Sequence, residues 1–522
     1  MKKTLVILVA LLSLIPASIF AFMSMDDEEL SEVTAQNGLN IAMALQPSAT
    51  SIIYIDPGGA AGVSNTGAIT FNTPSITQNG SGITFTAAAP LRVDAGGNGT
   101  STWLYFTFPT FSDYELSIPN ILISSGTFTL SKDLGSFNID NVSSDNTAIA
   151  IMGLSSGIEW SMGTHITSGL MAWGDSDGYG GTYTTRGYLK FDGITVDDNS
   201  GGWGYIKWDI NTGSDGTTPY ISMEGGPNSG LYMRSSAVRL SNVLTTGTGT
   251  SLFGLTLGNL SRTQNWQIWA TPHLNASTSI YGGLDVSAKI HLSNGFLEMS
   301  DSDGFTSYTT AGYYTFAGAT MNDGSGGAGT LLNATWFGVG NDGSTDAWMV
   351  IRQDTALTLG RINFDSVYIQ DTTGASGATT ERLGSLGLND LTFSFIDYSI
   401  RGEGTGQGYF VDSSWQVTDG DLVYGDHDGY GGTYTTMGYY AATNMTLSDT
   451  NNGTYYVGTF DMQSGTDTTG NSRLQVTFVP NENIALSFRP SVSTSMPTTG
   501  SDKMGTFRVT GTISGTFQVY AH

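Results

Sequence analysis

Apolar and polar residues alternate along most of this chain in short runs bounded by Gly, Asn and Asp, the pattern of β-strands with one face turned inward. Tyr188-Leu-Lys-Phe-Asp-Gly-Ile-Thr-Val196 is one such run, and Tyr313 to Met321 and Tyr439 to Leu447 are its counterparts. After the first residues, no stretch carries an amphipathic helical stripe with caps, apart from a short turn over Asp26 to Ala35. The pattern predicts an all-β fold.

The runs recur at a long, fixed interval. Gly174-Asp-Ser-Asp-Gly-Tyr179, Ser300-Asp-Ser-Asp-Gly-Phe305 and Gly425-Asp-His-Asp-Gly-Tyr430 place their first aspartates 126 and 125 residues apart. Each is followed by Thr-Thr-x-Gly-Tyr, at Thr184 to Tyr188, Thr309 to Tyr313 and Thr435 to Tyr439. About 22 residues past each first aspartate comes a second polar turn, Asp197-Asp-Asn199, Asn322-Asp-Gly324 and Asp449-Thr-Asn451. A further shared segment has four members: Leu134 to Ile139, Leu252 to Leu257, Leu383 to Leu388 and Met504 to Val509. Four units are therefore expected, over 37–156, 157–284, 285–410 and 411–522. In the first, Ile55-Asp-Pro-Gly-Gly59 followed by Ala68 to Phe71 stands as a degenerate corner that has lost its second aspartate.

Two architectures suit such an array. One is an elongated β-solenoid-like stack, favoured because no Pro-rich linker separates the units and the late segment of one runs directly into the next. The alternative is a row of tandem β-sandwich domains, since about 125 residues suffices for one domain. An outer-membrane barrel requires repeated strands of roughly ten residues, and the runs here read as shorter and glycine-broken.

Composition narrows the setting. Residues 1–21 carry Lys2 and Lys3, an apolar run from Leu5 to Ile15 and a cleavage point after Ala21, which reads as a secretory signal; an acidic motif over 22–36 follows. Beyond the signal, 17 basic residues face 45 acidic ones, a balance of −28. Such a surface repels phosphate backbones and argues against nucleic acid as a partner. There is no cysteine, so neither disulfides nor thiol chemistry is available. Gly contributes 70 of 522 residues, about twice the usual share, yet the aromatic content and the alternation exclude disorder.

The candidate chemistry sits at the corners. Asp175 with Asp177, Asp301 with Asp303, and Asp426 with Asp428 each place two carboxylates before a glycine that permits φ > 0, the opening of many calcium loops. The further oxygen ligands of a complete calcium loop are missing locally, so the second polar turn would have to supply them. The other reading is a plain turn in which Asp caps backbone amides. The five histidines, His165, His273, His291, His427 and His522, share no repeat position and no metal-binding spacing. No nucleophile elbow, phosphate loop or dinucleotide fingerprint is present, and the reading is of a protein that is not an enzyme. Tyr179, Tyr183 and Tyr188 and their counterparts form either a ladder for glycans or another subunit, or ordinary cross-strand pairs.

Just after the signal stands Met25-Asp-Asp-Glu-Glu-Leu-Ser-Glu-Val-Thr-Ala-Gln-Asn-Gly-Leu-Asn-Ile41. It resembles the acidic D-x-x-L-S-x-V-T-G-Q-x-G stretch that opens the mature chains of an exported bacterial family of the FilA type, assigned to pilus systems, with Ala35 in place of the glycine before Gln36. The resemblance implies a Gram-negative exported protein associated with fimbriae or the outer membrane, and it carries over no catalytic residue. The expectation is a non-enzymatic, surface-located β-repeat protein, fimbria-associated or adhesin-like, whose partners are other pilus or surface components, glycans, or further copies of itself. The alternative expectation is a secreted polysaccharide-binding or polysaccharide-degrading protein.

Overall fold

The computed structural model describes residues 39–45, 47–56, 67–97, 102–125, 131–155, 157–174, 183–200, 202–214, 218–227, 230–270, 284–300, 312–340, 348–353, 356–371, 380–402, 409–426, 437–449, 455–467, 472–479, 483–494, 504–512 and 514–520. Among them there is no helix, and the strands join into one large antiparallel sheet with two small companions. The alternating sequence pattern and the absence of capped helical stripes lead directly to this all-β array.

One pairing scheme accounts for nearly all of it and occurs four times. In unit 2 an inbound strand, Gly157–Gly174, pairs through its second half with Tyr188–Asp197, which pairs with Leu231–Ser241, which pairs with the first half of an outbound strand, Thr250–Ala270. The first half of the inbound strand pairs instead with Gly204–Ser214, this with Pro219–Pro227, and this with the second half of the outbound strand. The long strands thus belong to two tiers: a corner tier, where the Asp-x-Asp-Gly loops lie, and a tip tier.

Unit 3 follows the same scheme. Its inbound strand is Leu284–Ser300 and its outbound strand Thr380–Gly402, with Gly312–Asn322 and Arg361–Asp371 in the corner tier and Gly329–Gly340 and Trp348–Gln353 in the tip tier. In unit 4 the inbound strand is Tyr409–Gly425; Tyr439–Asp449 and Ile484–Ser493 form the corner tier, and Tyr455–Asp467 and Ser472–Val479 the tip tier. The outbound strand here is in two pieces, Phe507–Gly511 and Gly515–Tyr520.

Unit 1 breaks its inbound strand into Leu39–Ile41, Met43–Leu45 and Ser51–Asp56, and part of its corner tier separates as a four-stranded sheet. Its outbound strand is Ser136–Gly153. Neighbouring units are stitched by long hairpins in which each outbound strand pairs with the next inbound one.

The split into tiers has a local cause. Within the outbound strands Asn141, Asn259 and Asp390 all adopt φ between 51 and 52°, and the register shifts there. Gly193, Gly318 and Asn444 do the same in the first corner strand, with φ of 58, 61 and 51°. A single left-handed residue makes a bulge that bends the strand and raises its twist, and Asn, Asp and Gly tolerate that conformation best. Each long strand can then feed two sheets that diverge.

The ladder also winds back on itself. Ile123 of the unit 1 corner tier and Val339 of the unit 3 tip tier are both buried and share one apolar cluster with Ile69, Leu134 and Met349. The corner strands of unit 2 likewise lie against the tip strands of unit 4, and Tyr183–Arg186, the tail of a corner loop, pairs with Gly465 to Asp467. The corner tier of one unit is covered by the tip tier two units on. This array is neither clearly a solenoid nor clearly a row of sandwiches. A solenoid stacks parallel coils, whereas the pairings between units are antiparallel; separate sandwiches would interrupt the ladder, which instead passes through each long hairpin.

Candidate functional site

The corners, where sequence reasoning placed its chemistry, are anchored by an aromatic ring over a small residue. Tyr188, Tyr313 and Tyr439 open the first corner strand and stand opposite Gly174, Ser300 and Gly425. A methyl group added at Gly174 would lie 2.4 Å from the Tyr188 ring, and one at Gly425 2.6 Å from the Tyr439 ring. These tyrosines pair across strands, as the Thr-Thr-x-Gly-Tyr run suggested for its ordinary reading. Of the six corner aspartates only Asp426 lies among the described residues; its amide donates to the Gly438 carbonyl at 2.9 Å, closing the mouth of the loop. Asp175, Asp177, Asp301, Asp303 and Asp428 lie outside the described residues, as do Tyr179 and Phe305. Among the described residues no three carboxylate or imidazole groups cluster.

The second polar turn lies at the far end of the strand that leaves the corner. Gly174 and Tyr188 sit at one end of the strand Tyr188–Asp197 and the turn at the other, roughly 30 Å apart for ten extended residues. Its carboxylates are also committed. Asp198 Oδ1 accepts from the Ser200 amide at 2.9 Å, the Ser200 hydroxyl at 2.7 Å and the Gly202 amide at 2.7 Å. Asp323 Oδ1 accepts from the Ser325 amide, the Ser325 hydroxyl and the Gly327 amide, each at 2.8 Å. The hydroxyl and the two amides hold both carboxyls below the usual range.

A carboxyl lowered on folding stabilises above its unfolded pKa of about 3.9 and loses that contribution as pH falls through the folded value. Asp323→Ala is therefore expected to lower the melting temperature most near neutrality, and the gap to the parent protein should close as melts are repeated down to acid pH. A gap that stays constant with pH would show that the turn is held by something other than this charge.

Other polar groups are brought together singly. His165 Nδ1 lies 2.7 Å from Asp145 Oδ1 at an exposed bend of the first long hairpin. Of two open concavities, one lined by Thr50, Ser51, Thr70 and Ser124 and the other by Gln267, Ser287, Lys289 and Asn333, only the second has a titratable side chain, Lys289, in its described lining.

Sequence reasoning missed a buried charged cluster in unit 2. Lys190 is fully buried; its Nζ donates to the Thr245 carbonyl at 2.5 Å and to Thr248 Oγ1 at 3.1 Å. Asp192, 5% exposed, accepts from the Gly247 amide at 2.6 Å and lies 3.3 Å from Arg239 Nε. Burial pushes the Lys190 ammonium down, with Asp192 opposing it. Together they strap the connection 242–249 over the polar face of the corner tier. The alternation of Lys190 and Asp192 against Leu189 and Phe191 was the available signal, although such a face usually meets water.

The other face of the corner tier is apolar, and its exposure changes along the molecule. The cross-strand row Trp173, Leu189 and Leu240 in unit 2 is covered, with Leu240 1% exposed. The equivalent row in unit 4, Tyr424, Tyr440 and Val492, is 46, 45 and 41% exposed. This apolar row is one exposed face that the described surface offers a partner.

Residues 1–96 match a family of unknown function, DUF6160. The match spans the acidic amino-terminal motif, the inbound strand of unit 1 and its first corner strand, ending within Leu91–Gly97. No curated protein and no solved structure matches the chain.

Proposed function

We propose that the protein is a non-enzymatic, exported β-repeat component of the bacterial cell surface, fimbria- or pilus-associated or adhesin-like. The observation that carries this reading is the unbroken ladder: four units share one pairing scheme and are joined by long hairpins, so the fold delivers length and a repeated face. The polar groups support it by their dispersal, since those described serve turns, bulges and loop straps. The amino-terminal stretch, with its signal and its FilA-like acidic motif, supplies the pilus element of the proposal.

Cell fractionation of a tagged chain tests it. The expected result is label in the outer-membrane or extracellular fraction and on intact cells. Label confined to soluble periplasm would sink the surface reading, and release of reducing ends from a glycan panel by the purified protein would favour polysaccharide degradation.

A further inference from the structure

The internal junctions show what the two ends of the ladder are shaped to accept. At each junction an outbound strand pairs antiparallel with the next inbound strand, corner half to corner half and tip half to tip half. Among the described strands, the outbound strand of unit 4 pairs on its inner side alone, Phe507–Gly511 with Ile484–Ser493 and Gly515–Tyr520 with Ser472–Val479. The inbound strand of unit 1 is the mirror case, with Ser51–Asp56 paired to Gly67–Asn72 and Leu39–Ile41 to Leu91–Gly97. Among the described residues, one edge is thus an outbound strand that pairs with no inbound strand, and the other an inbound strand that pairs with no outbound strand.

Three further observations agree. Both edges expose apolar side chains: Phe507, Val509 and Phe517 are 55, 53 and 67% exposed, and Ile53 and Ile55 are 44 and 54% exposed. Ser51–Asp56 and Gly515–Tyr520 carry no proline or lysine, two usual guards of an exposed strand, while Phe507–Gly511 carries a single charge, Arg508.

Gly505 is the second. It holds φ +116°, as Gly135 and Gly384 hold +93° and +123° at the same place in units 1 and 3. At those two the missing side chain makes room for the facing strand: a Cβ would lie 2.0 Å from the Gly174 carbonyl oxygen and 2.1 Å from that of Gly425. At Gly505 no described atom lies within 4 Å, so among the described residues no facing strand fills the same accommodation.

The third is the winding. Corner tiers of units 1 and 2 are covered by tip tiers of units 3 and 4, while the corner row of unit 4 is exposed. On the covering side, Leu104 and Ile221 on the second tip strands of units 1 and 2 are 41 and 48% exposed.

We propose that copies of this chain join head to tail. The outbound strand of unit 4 adds to the inbound strand of unit 1 in the next copy, completing one more long hairpin, and tip tiers of units 1 and 2 of that copy cover the corner tiers of units 3 and 4 of the first. The contact is heterologous, so it propagates as a filament instead of closing as a symmetric dimer, by strand addition at a sheet edge. The proposal deepens the scaffold reading and rests on it.

The test uses the purified full chain in two edge variants, Phe507→Lys with Val509→Lys and Ile53→Lys with Ile55→Lys, each checked for an unchanged melting transition. Light scattering and negative-stain microscopy of the parent protein should show oligomers beyond dimers that lengthen with concentration. Each variant alone should be monomeric, and an equimolar mixture should yield dimers, because each variant keeps the edge that the other has lost. A parent protein that stays monomeric, either variant assembling like the parent, or an equimolar mixture that yields no dimers would each overturn head-to-tail assembly. Surface label on cells with monomers in solution would sink assembly and leave the surface reading standing.

Discussion

Replacing Asp192 with alanine should lower the stability of the fold by about 3–5 kcal/mol, the range for removing one partner of a buried charge cluster. The carboxylate accepts from the Gly247 and Gly193 amides and faces Arg239 Nε, beside a fully buried Lys190. Without it Lys190 and Arg239 lose their nearest counter-charge, Asp140 acting on Lys190 only weakly, and the connection 242–249 loses one of its straps. Asp192→Asn keeps the shape and some of the accepting capacity but not the charge, so it should fall between the parent protein and the alanine variant. Denaturant midpoints of the three proteins order the effects; an alanine variant within 0.5 kcal/mol of the parent, the range of a plain surface change, would show that the cluster contributes no net stability.

The same cluster marks where sequence reading stops. Alternation at Tyr188 to Val196 correctly announces a strand, and the four Leu134-like segments prove to open or immediately precede the outbound strands. Yet the strands themselves were read as short, because the residues that bend them look like the ends of runs. Asn141, Asn259 and Asp390 are turn formers by composition, and here each is one left-handed residue inside a strand that continues on its far side. A bulge and a turn draw on the same residues, and only the pairing partners distinguish them.

Lys190 and Asp192 were missed for a related reason. In a one-sided sheet the polar positions meet water, whereas here a Thr/Gly-rich connection folds over them. Their counterparts, Thr315 with Ala317 and Ala441 with Thr443, are uncharged, so no repeat signal pointed to them. The corner aspartates were legible as a motif because they recur, but recurrence identifies a shared corner and leaves its ligands open. Asp198 stands at the far end of Tyr188–Asp197 from Gly174 and its Oδ1 already accepts three hydrogen bonds, whereas Asp175 and Asp177 lie outside the described residues.

Gly384→Ala should destabilise the fold by about 3 kcal/mol or more. The residue sits at φ +123°, where an L side chain is strained, a cost of roughly 1–3 kcal/mol alone. Its Cβ would also stand 2.1 Å from the Gly425 carbonyl oxygen and 3.1 Å from the Tyr424 ring. That carbonyl belongs to the backbone of the facing inbound strand, so relief requires the unit 3 to unit 4 junction to open. The damage falls on this junction, while the packing of units 3 and 4 over units 1 and 2 does not pass through it. The expected result is an early transition, with units 3 and 4 separating before units 1 and 2 melt, seen as a second step in a denaturant titration and as protease cutting near the junction. Gly153→Ala is the control, since a Cβ there meets nothing within 4 Å and the backbone is unstrained. It should change stability by less than about 0.5 kcal/mol. Gly505→Ala divides the two costs: in the monomer it carries the backbone strain without the clash, so the difference between it and Gly384→Ala measures what the facing strand contributes to that glycine's place in the fold.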